Sequence, residues 1–313
     1  MKKIIAILLI AVTLTLILPS CKKADDTVIN IGVLAGPTGM GMAKLITDEG
    51  INEKYEFVVR SNPTDAIAEL SNGDVDMLCM PTNTAATLAA TKPDYISVLA
   101  INCLGSLYIM SDGETEINSI NDLEGQTIYA SVSSSTTGPI IEYILQMNNI
   151  NAAVVFDDED HDSLVEKVKN GLVSIALLPE PKATAALKKN ADYSIDLNLS
   201  EEWDKVSDQP LTMGCIVVRN DFLKDHTALV NAFLDDYKAS IEYIGNSANL
   251  DSAAQMIVDA GVLPQLPVAK SALSNLYGSI VFIEGNDMKD ALKGFYDAIG
   301  QAKIPDDSFY YAR

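Results

Sequence analysis

Histidine, tryptophan and cysteine are scarce in this chain: two, one and four of 313 residues. No His-x-x-x-His, Cys-x-x-Cys or Gly-x-Ser-x-Gly occurs. A zinc-binding helix, a dithiol centre and a nucleophile elbow are therefore not offered. His161 sits in the acidic run Asp157-Asp-Glu-Asp-His-Asp162, and His226 follows Lys224-Asp225 near a helix start. The acidic run lacks the glycine and the spaced ligands of a calcium loop, so it reads as a solvated loop. Gly36-Pro-Thr-Gly39-Met-Gly41 is neither a dinucleotide fingerprint nor a P-loop, because Lys44 stands three residues beyond Gly41. The expectation is no catalytic residue, no metal, no cofactor and no enzyme activity.

Positive charge is also scarce. Lys and Arg total 22 against 43 Asp and Glu, a formal charge of −21. Such a field repels phosphate backbones and excludes nucleic acid as a partner. After Cys21 no long apolar run appears, so no later segment reads as a membrane span. Three cysteines, Cys79, Cys103 and Cys215, lie in apolar runs (VDMLCM, VLAINCL, MGCIVV). Three make no disulfide framework, and they read as buried free thiols, with one Cys79–Cys103 bridge as the alternative.

One long apolar run is present. Lys2 and Lys3 precede Ile4 to Leu18, which holds no charge, and Leu18-Pro19-Ser20-Cys21 closes it. The run is shorter than the roughly 20 residues of a spanning helix. The segment resembles a bacterial lipoprotein signal, which implies removal of residues 1–20, lipid on Cys21 and a folded part outside the cytoplasm. Residues 21–27 then form a lipid-anchored tether. Functions that need cytosolic ATP, NADH or nucleic acid drop out.

The rest of the chain is too long for one comfortable core and suits two domains. Strand and helix signals alternate. Strands are expected at 28–36, 55–61, 75–81, 95–103 and 106–112, with helices at 37–50, 63–72 and 82–91. The pattern restarts with strands at 126–132, 152–157 and 173–181, and helices at 140–148, 162–171 and 182–190. A strand at 211–222 precedes a mainly helical end. This alternation predicts an α/β fold with parallel sheets covered by helices. SNGDVDMLCMPTNTAATL and KNGLVSIALLPEPKATAAL align with almost no adjustment. Each carries Asn-Gly, an apolar strand, Pro and a small-residue helix. Two similar lobes facing one another follow from that repeat.

Ligands of open α/β sheets sit beyond the carboxyl ends of strands. Four turns have that position: AGPTGMG (35–41), MPTNTA (80–85), SVSSSTTG (131–138) and LPEPKAT (178–184). Their Gly, Pro, Ser, Thr and Asn let backbone amides approach a ligand. Any one of them alone reads as a helix cap. Four at equivalent places in two lobes predict a shared cleft.

Several segments carry a family resemblance: IGVLAGPTGMGMAKL, NGDVDMLCMPTNTAA, NDLEGQTIYA, LLPEPKAT, EEWDK with LTMGCIVVRNDF, and IPDDSFYY. Over about residues 28–313 the chain resembles solute-binding lipoproteins of ABC importers, nearest to the nitrate/sulfonate/taurine and thiamine-precursor-like group. The resemblance implies a type 2 periplasmic-binding fold. Its two lobes are mixed, mostly parallel sheets with flanking helices, joined by a two-segment hinge. Crossings are expected near Met110–Glu116 and Met213–Arg219. Lobe one is then 28–112 plus 220–313, and lobe two 113–219. Implied partners are a small-molecule ligand, an ABC permease with its ATPase, and the membrane through the lipid anchor, with the protein a monomer.

The implied ligand contacts are Thr38, Gly39, Met40, Thr82, Asn83, Ser133, Ser134, Thr136 and Glu180. Glu180 would repel a sulfonate and accept from an amino or ring N–H group. The expectation is an amino-bearing or heteroaromatic compound, with sulfonate or nitrate as alternatives. Trp203 and Tyr108, near the crossings, serve either as hinge packing or as stacking partners for a ring. Two rival functions remain, an enzyme on the same fold and a surface sensor or adhesin without transport.

Overall fold

A computed structural model of the chain describes residues 27–48, 50, 53–131, 136–158 and 160–313. The lipidation expected at Cys21 lies outside them. The strands are β1 (Ile29–Leu34), β2 (Tyr55–Arg60), β3 (Met77–Pro81), β4 (Ile96–Leu104), β5 (Leu107–Ser111), β6 (Thr127–Ser131), β7 (Ala153–Asp158), β8 (Ile175–Pro179), β9 (Ser194–Asn198), β10 (Thr212–Arg219) and β11 (Ile280–Ile283). Helices α1 (Pro37–Met40), α2 (Ala43–Thr47), α3 (Pro63–Asn72) and α4 (Thr82–Thr91) follow the early strands. Next come α5 (Thr137–Met147), α6 (His161–Lys169), α7 (Lys182–Lys189) and α8 (Leu199–Asp204). The chain ends with α9 (Asn220–Asp225), α10 (Thr227–Ile244), α11 (Leu250–Asp259), α12 (Leu266–Asn275) and α13 (Gly285–Ala298).

Two mixed sheets form, in the orders β11-β4-β10-β3-β1-β2 and β7-β6-β8-β5-β9. Their aliphatic runs explain the central places. Residues 77–80 of β3 are buried on both faces, as are nearly all of β4 and all of β5. A strand covered on both sides needs such a continuous apolar run. Local signals set the helix limits. At α3, Asn62 accepts from the Thr64 amide, Pro63 opens the helix, and Gly73 closes it at φ 84°.

The internal repeat is visible as topology. β1 pairs in parallel with β2 and β3, and β6 in parallel with β7 and β8. The two matching sequence segments fall on β3–α4 and β8–α7, at equivalent places in the two sheets. Beyond β3 and β8 each sheet then takes one antiparallel strand: β10 beside β3, and β5 beside β8.

Those two strands correct the expected lobe boundaries. β5, placed in lobe one by the sequence reading, pairs with β8 and β9 of the second sheet, Leu107 opposite Pro179 and Tyr108 opposite Asn198. β10, placed in lobe two, pairs with β3 and β4 of the first sheet. The chain changes sheet at Gly105-Ser106 and again between α8 and β10. Only two residues separate β4 from β5, so the pair imitates a hairpin in sequence, yet β5 bonds elsewhere. Gly105 fits because a Cβ there would lie 1.7 Å from Ser200 Oγ.

The helix expected at 37–50 is broken into α1 and α2 at Gly41-Met42, where a Cβ on Gly41 would meet Ile241 at 2.6 Å. β9, α8 and β11 were not anticipated. Around the crossings one hydrophobic cluster joins both lobes, including Ile109, Leu123, Trp203, Leu211 and Phe295. Trp203 is fully buried between Tyr143 and Phe295, and its indole N–H donates to the Gln209 carbonyl at 2.7 Å. Cys79, Cys103 and Cys215 are buried free thiols. Burial pushes the first two up to about 12. Among the described residues no helix is long and apolar enough to cross a membrane.

Candidate ligand-binding cleft

The parallel strands β1, β2, β3 and β6, β7, β8 end facing a common space. A cavity of about 240 Å³ lies there, walled by both lobes. From the first lobe come Leu34 at the end of β1, Pro37 and Thr38 of α1, and Ser61 and Pro63 after β2. The second lobe contributes Thr136 and Thr137 at the start of α5, His161 at the start of α6, and Glu180 just before α7. Ser106 lies at the crossing itself.

The placement follows from strand–turn–helix units. Each turn that leaves a parallel strand enters a helix, so the helix start points into the cleft. Helices α3, α5 and α6 begin at lining residues, and α4 begins one residue after lining Pro81. Helix starts, with the positive ends of their dipoles, therefore face the cavity. Among the described residues that line it there is no lysine, arginine, phenylalanine, tyrosine or tryptophan. The site offers backbone N–H groups, hydroxyls, one imidazole and one carboxylate.

His161 is the first residue of α6, whose cap is Asp160 accepting from the Ser163 amide. Its Nδ1 shares a hydrogen bond with Ser131 Oγ. Burial holds the imidazole below its ordinary value, and Lys182 adds to this, while Asp160 and Asp162 act in the opposite sense. Glu180 is 2 % exposed. Its Oε1 accepts from Thr184 Oγ1 at 3.0 Å and Asn275 Nδ2 at 2.6 Å, and its Oε2 from the Thr184 amide at 3.2 Å. Burial pushes its carboxyl above the usual range, and the bonds from Asn275 and Thr184 oppose that.

Of the sequence-based site residues, Thr38, Thr136 and Glu180 line the cavity. Gly39 does not. A Cβ there would stand 2.2 Å from the Leu34 carbonyl, and its own amide donates to the Gly36 carbonyl. It is needed for the close turn after β1. Met40 is wholly buried in the first-lobe core, because the second face of so short a turn must point inward. Thr82 is also wholly buried, and its hydroxyl donates to the Thr212 carbonyl. Asn83 lies outside the cavity lining and accepts from Thr84 Oγ1. Ser133 and Ser134 lie outside the described residues. Trp203 and Tyr108 do not line the cavity. The Tyr108 hydroxyl donates to the Asn275 carbonyl, so both aromatics are crossing-region packing.

His161, Ser61, Ser106 and Thr137 were missed. For His161 a signal existed. Asp160 followed three residues later by Ser163 is a cap pattern, and it puts His161 at a helix start. Ser61-Asn62-Pro63 is a similar cue. Among the described residues no group of three or more His, Cys, Asp or Glu is arranged to hold a metal ion.

A family model described as "ABC transporter, phosphonate, periplasmic substrate-binding protein" matches residues 45–244. No curated protein matches the sequence. Solved structures with the same fold include an ABC transporter protein from Parabacteroides distasonis: 20% identity, TM-score 0.75, 92% of this chain and 100% of the other covered. The periplasmic aliphatic sulphonate binding protein SsuA from Escherichia coli aligns at 14% identity and TM-score 0.71, over 91% and 92% of the two chains. A putative periplasmic sulfonate-binding protein from Methylobacillus flagellatus aligns at 16% identity and TM-score 0.65, over 90% of each.

Proposed function

This chain belongs to the phosphonate family of ABC-transporter periplasmic substrate-binding proteins, and from that premise we propose that its cleft captures a small amino-bearing oxyanion. The family places the folded part outside the cytoplasm and makes it the small-molecule-binding component of an importer. One observation carries the ligand proposal: helix starts from both lobes face a cavity lined by the hydroxyls of Thr38, Ser61, Thr136 and Thr137 and by the His161 ring. Backbone amides at helix starts bind phosphonate- or sulfonate-type groups without a side-chain cation. Threonine and serine hydroxyls and the His161 ring complete that half of the site.

Glu180 supports the amino part. Its Oε2 takes only the Thr184 amide, so an acceptor position remains for an ammonium group. This retains the amino-bearing part of the sequence reading. A heteroaromatic ligand loses support, because Trp203 and Tyr108 are engaged in packing. The cavity of about 240 Å³ suits a small aminoalkylphosphonate or aminoalkylsulfonate.

We further propose that the protein is a monomer anchored by lipid on Cys21, which delivers its ligand to a permease driven by a cytosolic ATPase. Intact-mass analysis of the membrane fraction, with and without Cys21→Ala, tests the anchor. For the ligand, titration calorimetry would compare an aminoalkylphosphonate, an aminoalkylsulfonate, the two alkyl analogues without nitrogen, an alkylamine and a pyrimidine. The amino-bearing oxyanions are expected to bind tightest. Glu180→Gln should cost them about tenfold or more in affinity while sparing the analogues without nitrogen. Tightest binding of the alkylamine or the pyrimidine would refute the oxyanion assignment.

A further inference from the structure

Asn275 is the last residue of α12 and belongs to the first lobe, where α12 packs against α11. It is not part of the cavity lining. Nevertheless it carries three hydrogen bonds to the second lobe. Its Nδ2 donates to Glu180 Oε1 at 2.6 Å, with Thr184 Oγ1 at 3.4 Å. Its carbonyl accepts from the Tyr108 hydroxyl at 2.9 Å. Glu180 and Thr184 follow β8, and Tyr108 lies in β5, all on the second sheet.

Glu180 is thus held from two sides. Both Thr184 bonds come from its own lobe and survive any movement between lobes. The Asn275 bond survives only while the lobes are together. In the closed arrangement Asn275 supplies a donor to the buried Glu180 carboxylate, which lines the ligand cavity, and separation of the lobes exchanges that bond for water.

We propose that Asn275 is a positioning residue, a latch that ties the Glu180 wall of the ligand cavity to the first lobe and stabilises the closed arrangement. The proposal rests on the reading of the cleft as the ligand site. It extends that reading to a residue the ligand does not touch. A ligand that favours the closed form acts on an equilibrium already biased by this contact.

The test reads lobe separation without needing a ligand. Leu172 and Ile304 are exposed (68 % and 38 %) on opposite lobes, and the three described cysteines are buried. Labels on Leu172→Cys and Ile304→Cys in the full chain report the interlobe distance. Asn275→Leu should shift the distance distribution towards the open form. It should also speed release of a bound aminoalkylphosphonate roughly ten- to a hundredfold, the range for a bond to a charged group. Tyr108→Phe should do the same more weakly.

Asn275→Asp sets two carboxylates face to face and should open the lobes further. Asn275→Asp with Glu180→Gln restores a donor–acceptor pair in reversed sense and should reclose them. General damage to α12 would not be rescued in that way. Distances and release rates in Asn275→Leu equal to those of the parent would overturn the latch. So would opening by Asn275→Asp that Glu180→Gln does not reverse. If no oxyanion binds the parent protein, the ligand reading fails, and the distances still decide the latch.

Discussion

Ligand binding at this cleft should carry a proton signature whose sign identifies the group being bound. Burial and Lys182 hold the His161 imidazole below its ordinary 6.5, against the pull of Asp160 and Asp162. Burial holds the Glu180 carboxyl above its ordinary 4.5. An oxyanion at the helix starts favours the imidazolium, so it raises His161 and draws a proton in. One linked proton changes affinity by at most tenfold per pH unit. Between pH 7.5 and 5.5 the gain is therefore at most about a hundredfold, and it levels off below the free-state value. An ammonium beside Glu180 does the reverse, lowering that carboxyl and expelling a proton. An alkylsulfonate, ionised at every pH in this window, isolates the protein's own protons. Calorimetry at pH 6 in two buffers of different ionisation enthalpy counts them directly. The expected result is uptake of up to one proton with the alkylsulfonate, a change of opposite sign with an alkylamine, and a smaller net uptake with an aminoalkylsulfonate than with the alkylsulfonate. His161→Gln should abolish the uptake. Sulfonate binding without uptake, or equal uptake in His161→Gln, would refute the placement of the oxyanion. The same two groups tie the stability of the fold to pH. A lowered histidine contributes stability that is present above pH 6.5 and lost as pH falls towards the folded value. The raised Glu180 runs oppositely, its contribution being full below 4.5 and lost as pH rises through its folded value.

Two substitutions test the scaffold around the cleft. Gly105→Ala drives a Cβ to 1.7 Å from Ser200 Oγ and 2.9 Å from Ser200 Cβ at the first crossing. Overpacking of this kind costs about 1–3 kcal/mol, or roughly 2–9 °C of melting temperature. Gly105→Ala with Ser200→Gly should recover most of that loss in a thermal melt. An unchanged midpoint in the single variant would mean the crossing has slack. Gly214→Ala puts a Cβ 2.5 Å from both Thr38 Cγ2 and Asn102 Oδ1, and Asn102 holds the Thr38 carbonyl. Displacement of Thr38 should weaken oxyanion binding at least tenfold by calorimetry. Wild-type affinity would remove Thr38 from the site.

The strands and the repeat were legible because their signals are local. An apolar run between Asn-Gly and Pro can be read without knowing its partner, and β3 and β8 are both of this kind. Strand pairing is not local. β4 and β5 are separated only by Gly105-Ser106, yet β5 pairs with β8 and β9, far along the chain. The boundary error came from that hidden partner. The same division explains the site residues. Thr38, Thr136 and Glu180 stand at turns after strands, a sequence-visible position. Gly39, Met40 and Thr82 share those turns but face inward, and facing depends on neighbours such as Leu34 and Thr212. His161 was hidden by composition, because five acids around it suggested solvent. The cap formed by Asp160 and Ser163 instead turns its ring towards Ser131 and the cavity.

The proposed anion site has a mechanical consequence. In a chain of formal charge −21, no lysine or arginine stands among the described residues that line the cavity. The positive field proposed for it is that of helix starts, α3 and α4 in one lobe and α5, α6 and α7 in the other. Such a field fades within about one helical turn. Each lobe alone therefore presents only part of the site, and the full field exists only when the lobes meet. Capture and closure then become one event. The bond between Glu180 and Asn275 stands at their junction, joining the carboxylate proposed to select the ligand to the lobe proposed to move.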